Sequence, residues 1–251
     1  MSIRIVANEF AKMRHLRVGL LTLVLLAGVV GLTAFRGLAS GLAEDLSDPA
    51  GFAWKILLAG LGFSAGLISP MIIAAIASRQ VEAEHSGNGW LLSETSGVTP
   101  GRLCRAKFAA LGVLVTTSTL AQSLILVAIG FGVGIASPVP VEQWLGYTTA
   151  IIVVNLAVLG VHLLLSAVIE NQLLCMGIAV IGLFIAVFAS ALPEWLVMLT
   201  PWGYYSLVAP ADYVGTDLVY LDIPYLSVLV LGLAGAGLFA LITARFDRRE
   251  A

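Results

Sequence analysis

Charge is what this chain has least of. Asp, Glu, Lys and Arg make up 11% of its 251 residues and hydrophobic residues 59%, whereas soluble domains carry about 25% charged residues. With a mean hydropathy of +1.00, a chain of this length cannot hide its apolar surface in one core, so lipid must solvate much of it. The net charge is only -2, and no basic patch exists outside loops and termini, so nothing here suits nucleic acid. There are two cysteines, Cys104 and Cys175. Neither has a metal-binding spacing, and their expected compartment keeps thiols reduced. No G-x-x-x-x-G-K-[ST] occurs, so phosphates cannot be cradled by that route and any ATP-driven work needs a partner. No H-E-x-x-H occurs either, and Glu82, Glu84 and His85 lack the partner cluster a metal requires. No cofactor is expected in this chain. Within the apolar runs His162 is the main ionisable residue. Ion-coupled transporters keep a relay of such groups despite a cost of about 2.5–3.5 kcal/mol each, and no relay is readable here.

What is abundant is apolar sequence in six runs, at about 18–35, 54–78, 108–135, 144–169, 173–192 and 224–243. A helix needs about 20 residues to cross a bilayer, so the expectation is an all-α membrane protein of six transmembrane helices forming a single transmembrane domain over 1–251. The third run exceeds one straight crossing and should tilt or bend around Gly130, Gly132 and Gly134. Glu170-Asn171-Gln172 separates the fourth and fifth as a tight helical hairpin. The first run, behind Arg4, Lys12, Arg14 and Arg17, is longer than the apolar core of a signal peptide and reads as an uncleaved span.

Orientation follows the Lys/Arg bias. Arg4, Lys12, Arg14, Arg17, Arg79, Arg102, Arg105, Lys107, Arg245, Arg248 and Arg249 fall on one side, and only Arg36 and Lys55 on the other. Both termini and the 79–107 loop are therefore expected in the cytoplasm, in a multi-pass protein of a bacterial cytoplasmic membrane. Ile3, Val6, Phe10 and Met13 recur at helical spacing opposite Arg4, Asn8, Glu9 and Lys12, the pattern of an interfacial amphipathic helix. The outer segment 193–222 carries Trp195, Trp202, Tyr204, Tyr205, Tyr213 and Tyr220. It reads equally as an aromatic anchor or a substrate-facing lid.

Two constellations inside the spans have a chemical and a packing reading. Gly62-Phe63-Ser64-Ala65-Gly66 matches G-x-S-x-G, with His162 and Asn155 in another span, as an intramembrane serine hydrolase would need. That motif requires a strand–turn–helix context, and in an apolar helix Gly62 and Gly66 instead make a small-residue packing face. Thr116, Thr117, Ser118, Thr119, Gln122 and Ser123 in the third run either hydrogen-bond between helices or line a polar path.

The 79–107 loop is the longest polar interruption. The second span should continue as helix past Arg79, through Val81, Glu82 and Glu84, until Gly87-Asn88-Gly89 breaks it. Trp90-Leu91-Leu92 beside Ser93 and Glu94 then starts a short transverse helix, ended by Ser96-Gly97. Thr99-Pro100 has the chemistry of a helix start.

This arrangement resembles the permease subunit of an ABC-2 type (ABCG-like) exporter. More narrowly, Val81-Glu82-Ala83-Glu84-His85-Ser86-Gly87-Asn88-Gly89-Trp90, then Val98-Thr99-Pro100 and Ala106-Lys107, resemble the lantibiotic- and bacteriocin-immunity permeases, including bacitracin-type relatives. Ala7-Asn8-Glu9-Phe10-Ala11-Lys12 and Trp202-Gly203-Tyr204 are similar to that group too. The resemblance implies two permease chains, identical or homologous, and two copies of a P-loop ATPase that hold the ATP and Mg. It implies that Glu84, Trp90, Leu91 and Glu94 lie in or beside a cytoplasmic coupling helix, that the amphipathic N-terminal helix lies near the same interface, and that the cargo is an amphipathic peptide antibiotic or similar lipid-like compound. A non-transporting scaffold or sensor is the remaining alternative.

Overall fold

The computed structural model describes residues 3–248; Arg249 and the Ile3 side chain lie outside the described residues. Five helices are long and apolar enough to cross a membrane. They are α2 (Val18–Ala39), α3 (Phe52–Ser86), α5 (Pro100–Gly132), α6 (Val141–Val168) and α10 (Tyr225–Arg248). The amphipathic α1 (Ile3–His15) precedes them, α4 (Gly89–Thr95) lies in the 79–107 loop, and α7 (Gln172–Val187) follows α6. Beyond α7 come two short helices, α8 (Glu194–Leu199) and α9 (Tyr204–Leu207), and a hairpin of β1 (Ala211–Val214) with β2 (Asp217–Tyr220).

α3 is the centre. It packs against α2, α5, α6 and α7, and 67% of its most apolar window is buried, against 17% for α10 and 22% for α2. α2 and α10 thus present most of their apolar surface outward. Contacts of α1 with α5 and of α4 with α3 and α5 gather the start of α5 and the ends of α3 and α10 at one end of the bundle, here called basal. At the opposite, apical end Trp54 Nε1 donates to the Ser137 carbonyl at 3.0 Å, and the Trp54 ring stands edge-on to Trp144 and Phe131.

The 173–192 run yields a helix of only 16 residues, about 24 Å at 1.5 Å per residue. The chain leaves the α-helix at Phe188 for a 3-10 turn over Ala189–Ala191, ahead of Pro193. In the third run α5 stops at Gly132, and Gly134 takes a left-handed φ of 86° just beyond it. Gly130 makes room for the Trp54 ring. Asn171 ends the α6–α7 turn by accepting from the Leu173 and Leu174 amides, which satisfies donors that a helix start leaves open. The hairpin departs from the all-helical expectation. Tyr213, Val214, Val219 and Tyr220 favour strand, and Gly215 (φ 66°) supplies the positive φ of a two-residue turn between Val214 and Asp217.

Candidate functional site

The loop after α3 folds in the pieces its punctuation predicts. α3 runs to Ser86, Gly87 ends it, and Asn88 adopts the left-handed conformation (φ 50°) that redirects the chain into α4. Gly97 does the same on leaving, at φ 77°. Gly89 is required because a Cβ there would strike the Glu84 side chain. Thr99 is the N-terminal flanking residue of α5 with Pro100 in the first turn, but its hydroxyl caps nothing; it donates to Asp247 on α10 instead.

α4 is fastened by a relay through two other helices. Trp90 Nε1 donates to His85 Nδ1 at 3.3 Å, and His85 Nε2 lies 2.9 Å from the Ser166 carbonyl on α6. An Nδ1 that accepts places the ring proton on Nε2, which then donates to Ser166. This leaves Leu91 and Leu92 as the outward face of α4, 62% and 69% exposed. Glu94 is half-buried beside them.

Beneath α4 lies a buried ionic cluster. Lys107 of α5 is fully buried, and its Nζ donates to Glu9 Oε2 at 2.7 Å, Glu84 Oε1 at 2.7 Å and the Gln80 carbonyl at 2.9 Å. Its three protons are all used. Glu9 and Glu84 are only 1% and 3% exposed. Gln80 Nε2 donates to Glu9 Oε2 at 2.9 Å, and Lys12 Nζ closes the set at 2.7 Å from Glu84 and 2.9 Å from Glu9. Burial alone would lower the Lys12 ammonium, but the hydrogen bonds and charges of Glu84 and Glu9 hold it above its ordinary 10.5. Two cations face two carboxylates in a site that joins α1, α3 and α5.

The amphipathic pattern of α1 is therefore corrected. Glu9, expected on the polar outer side, points into the protein, Lys12 leans after it, and Phe10 is 38% exposed. An ammonium near the start of α5 with no counter-ion would cost several kcal/mol to bury; Glu84 of α3 and Glu9 of α1 both supply one, and Lys12 balances the second carboxylate. Glu84, expected with the coupling residues, is an internal member of this cluster; Trp90, Leu91 and Glu94 stand on α4 itself.

A second basal contact closes α5 onto α10. Arg105 Nη2 donates to Asp247 Oδ2 at 2.8 Å and its Nη1 to Thr243 Oγ1 at 3.1 Å, while the Arg102 amide donates to Asp247 Oδ1 at 3.2 Å.

At mid-depth the polar stretch of α5 splits. Thr119 accepts from Asn155 Nδ2 at 3.0 Å, and Ser123 contacts Thr148 at 2.7 Å, both on α6. Thr116 is half-buried without a hydrogen bond there, and Gln122 Nε2 is buried and unpaired among the described residues. Asn155 also accepts from Tyr205 Oη at 2.7 Å. Tyr205 belongs to the outer aromatic segment, which thus enters the bundle. Gly66 sits under Tyr205 and Gly62 under Pro210, where an added Cβ would come within 3.4 and 3.1 Å. Trp202 lies edge-on to His162, ring centroids 5.7 Å apart, in space that Gly182 leaves open. Trp195 and Tyr213 remain exposed, so the segment is a plug in its middle and a surface element on either side of it.

That packing accounts for G-x-S-x-G. Its glycines receive the plug, the stretch is continuous helix, and neither Ser64 Oγ nor either His162 ring nitrogen has a hydrogen-bond partner among the described residues. The nucleophile–base pair a hydrolase requires is not formed. No group of three or more His, Cys, Asp or Glu among the described residues is placed to hold a metal, and both cysteines are free and buried.

Sequence reasoning missed Glu9–Lys107, Arg105–Asp247 and Tyr205–Asn155. The available signals were a lysine beginning an apolar run and a single aspartate among the arginines that end the chain.

A family model described as ABC-2 family transporter protein matches residues 5–186. The match takes in the ionic cluster, α4 and the Thr119–Asn155 contact, and stops before the plug. No curated protein matches the chain.

Proposed function

Since this chain belongs to the ABC-2 family of transporter proteins, we propose that it is the permease of an ATP-driven exporter and that α4 is the surface its ATPase grips. The family assignment makes the chain a multi-pass membrane protein with a transport role, the membrane component of an ABC transporter and not its catalyst. The proposal adds the finer parts. Two copies of a P-loop ATPase holding ATP and Mg work on two permease chains, identical or homologous. The basal end with both termini faces the cytoplasm of a bacterium, and α7 with the segment that follows completes a sixth crossing. The cargo is an amphipathic peptide antibiotic of the lantibiotic or bacteriocin kind, or a similar lipid-like compound, so that transport confers immunity or resistance.

One observation carries the reading: a seven-residue helix bounded by two left-handed residues, pinned through Trp90 and His85, with Leu91 and Leu92 turned outward at the arginine-rich end. Two adjacent exposed leucines give α4 an apolar face that a docked partner would cover, and a rigidly fastened helix transmits force better than a free loop. Trp90, Leu91 and Glu94 form the contact. Glu84 is a positioning residue that holds the helix's base through Lys107.

The direct test is co-expression with candidate P-loop ATPases followed by detergent extraction and ATP turnover. Association and cargo-stimulated turnover are expected, and Leu91→Glu with Leu92→Glu should abolish both while the permease remains folded. A permease that binds no such ATPase overturns the reading. Association without cargo-dependent turnover would make the chain a scaffold or sensor.

A further inference from the structure

A groove of about 510 Å³ runs along the contact between α6 and α10, with every lining residue apolar. Leu156 and Gly160 of α6 face Gly235 and Phe239 of α10 across it, with Phe108 of α5 and Pro201 closing its sides. The hollow is not forced by tight packing. A Cβ on Gly235 would lie 3.9 Å from Ala157, and one on Gly160 3.5 Å from Phe108 and 3.6 Å from Phe239, all ordinary contact distances. An alanine would fit at either position, and of the lining glycines only Gly232, where a Cβ would come within 3.1 Å of Val153, is held to glycine by its neighbour, so most of the hollow is space left for something else. Both helices belong to the membrane-crossing set, where an apolar hollow is bathed in acyl chains.

The basal end of this groove has a charge of definite sign. Phe108 and Phe239 meet at 4.7 Å between centroids, and one turn further out Arg105 donates to Thr243. Arg102, Arg245 and Arg248 follow at the same end, all exposed. Asp247, the acid among them, is already engaged by Thr99, Arg105 and the Arg102 amide. Among the described residues, those three arginines form no ion pair. An apolar slot in a membrane-crossing pair of helices, ending in guanidinium groups that are unpaired among the described residues, is complementary to an acyl chain joined to an anionic phosphate.

We propose that this groove binds one anionic phospholipid, its chain between α6 and α10 and its phosphate on Arg102, Arg245 and Arg248. The proposal needs only that the chain crosses a membrane and does not depend on the exporter reading.

The test is native mass spectrometry of the full-length protein in detergent, with phosphatidylglycerol or phosphatidylcholine of identical chains added. Wild type should retain one phosphatidylglycerol per chain in preference to phosphatidylcholine. Replacing the three exposed arginines by glutamine should erase that preference, by roughly fivefold for each charge removed, in a protein whose buried contacts are untouched. Gly235→Leu should lower retention of both lipids. Equal retention of the two lipids by wild type overturns the proposal, as does a preference that survives loss of all three arginines. A Gly235→Leu protein that keeps its lipid but loses a second protein copy would show that another chain fills the groove, and would overturn it equally.

Discussion

Replacing Lys107 by methionine tests whether the buried cluster is held by charge. Methionine keeps most of the side chain's length and removes all three donors. Each Lys107–carboxylate contact of 2.7 Å is worth about 6 kcal/mol of Coulomb attraction at an effective dielectric constant of about 20, set against several kcal/mol of desolvation per ion. The net cost of breaking such a pair is about 3–5 kcal/mol, because a charge stays behind without its partner. Here two carboxylates stay behind, 1% and 3% exposed. Lys12 still reaches both, and although its side chain is 38% exposed and partly solvent-screened, this remaining partner puts the expectation in the lower part of that range, about 3 kcal/mol. Neutralising its three buried members, as Glu9→Gln, Glu84→Gln and Lys107→Met together, should restore most of the loss, since the one charge left, on Lys12, is part-exposed and can turn to water.

Two readouts on detergent-purified protein separate this from mere loss of packing. Thermal unfolding should place Lys107→Met well below wild type and the triple variant near it. Limited tryptic cleavage after Arg14 and Arg17 should speed up in Lys107→Met, because α1 loses the contact that draws Glu9 inward, and slow again in the triple variant. If Lys107→Met melts with wild type and α1 stays protected, the cluster contributes nothing and the reasoning fails. If the triple variant is as damaged as the single one, hydrogen-bond geometry and not charge is responsible.

Tyr205→Phe should destabilise the bundle by about 1 kcal/mol, within the range of single hydrogen bonds between membrane helices, and Asn155→Leu added to it should recover part of the loss in a melting assay. Gly182→Leu places a Cβ 2.5 Å from the Trp202 indole, so the plug should be expelled; a cysteine at Val208, fully buried in the folded protein, should become reactive to a membrane-impermeant thiol reagent in that variant and stay protected without it. The Lys12 ammonium is raised in the folded protein, so its contribution is fully present below its unfolded value near 10.5 and fades only as pH climbs through the higher folded one. Removing Lys12 as Lys12→Met should therefore lower the melting temperature by the same amount at pH 7 and pH 9, and a loss confined to one of these would contradict the assignment.

What was readable in the sequence follows from which forces are local. Helix starts and stops around α3, α4 and α5 came through because glycine, asparagine and proline act on their own backbone: Gly87, Asn88, Gly97 and Pro100 each sit where their chemistry places them. The five long apolar runs came through because length and composition suffice. The faces of α1 did not. Periodicity assigns Glu9 outward on average hydrophobicity, and it points inward to a lysine 98 residues away. The same limit applies to Thr99, whose hydroxyl chose Asp247 over its own helix, and to Tyr205, whose partner lies 50 residues back on α6. The aromatic segment 193–222 was open between anchor and lid because composition cannot tell an outward-facing ring from one inside the bundle, and both occur in that one segment, in Trp195 and Tyr205.

α3 is where these separate contacts become one mechanical object. A single 35-residue helix carries Glu84 and His85, which hold α1, α5 and α4, at its basal end, and Gly62 and Gly66, which seat the plug, near its middle. A push on α4 has two fastened routes inward, through Trp90 to His85 and through the Glu84–Lys107 pair, and both end on this helix. α3 is not uniformly stiff, however. Pro70 lies inside it, buried, and having no N–H it leaves the carbonyl of Gly66, four residues earlier, without its helical donor. The weakest rung of the lever therefore falls at the glycine that touches Tyr205. A helix loaded at its base yields first where a hydrogen bond is already missing, so under the exporter reading displacement at α4 is delivered at the depth of the plug, and the Tyr205–Asn155–Thr119 chain is the contact that must give way.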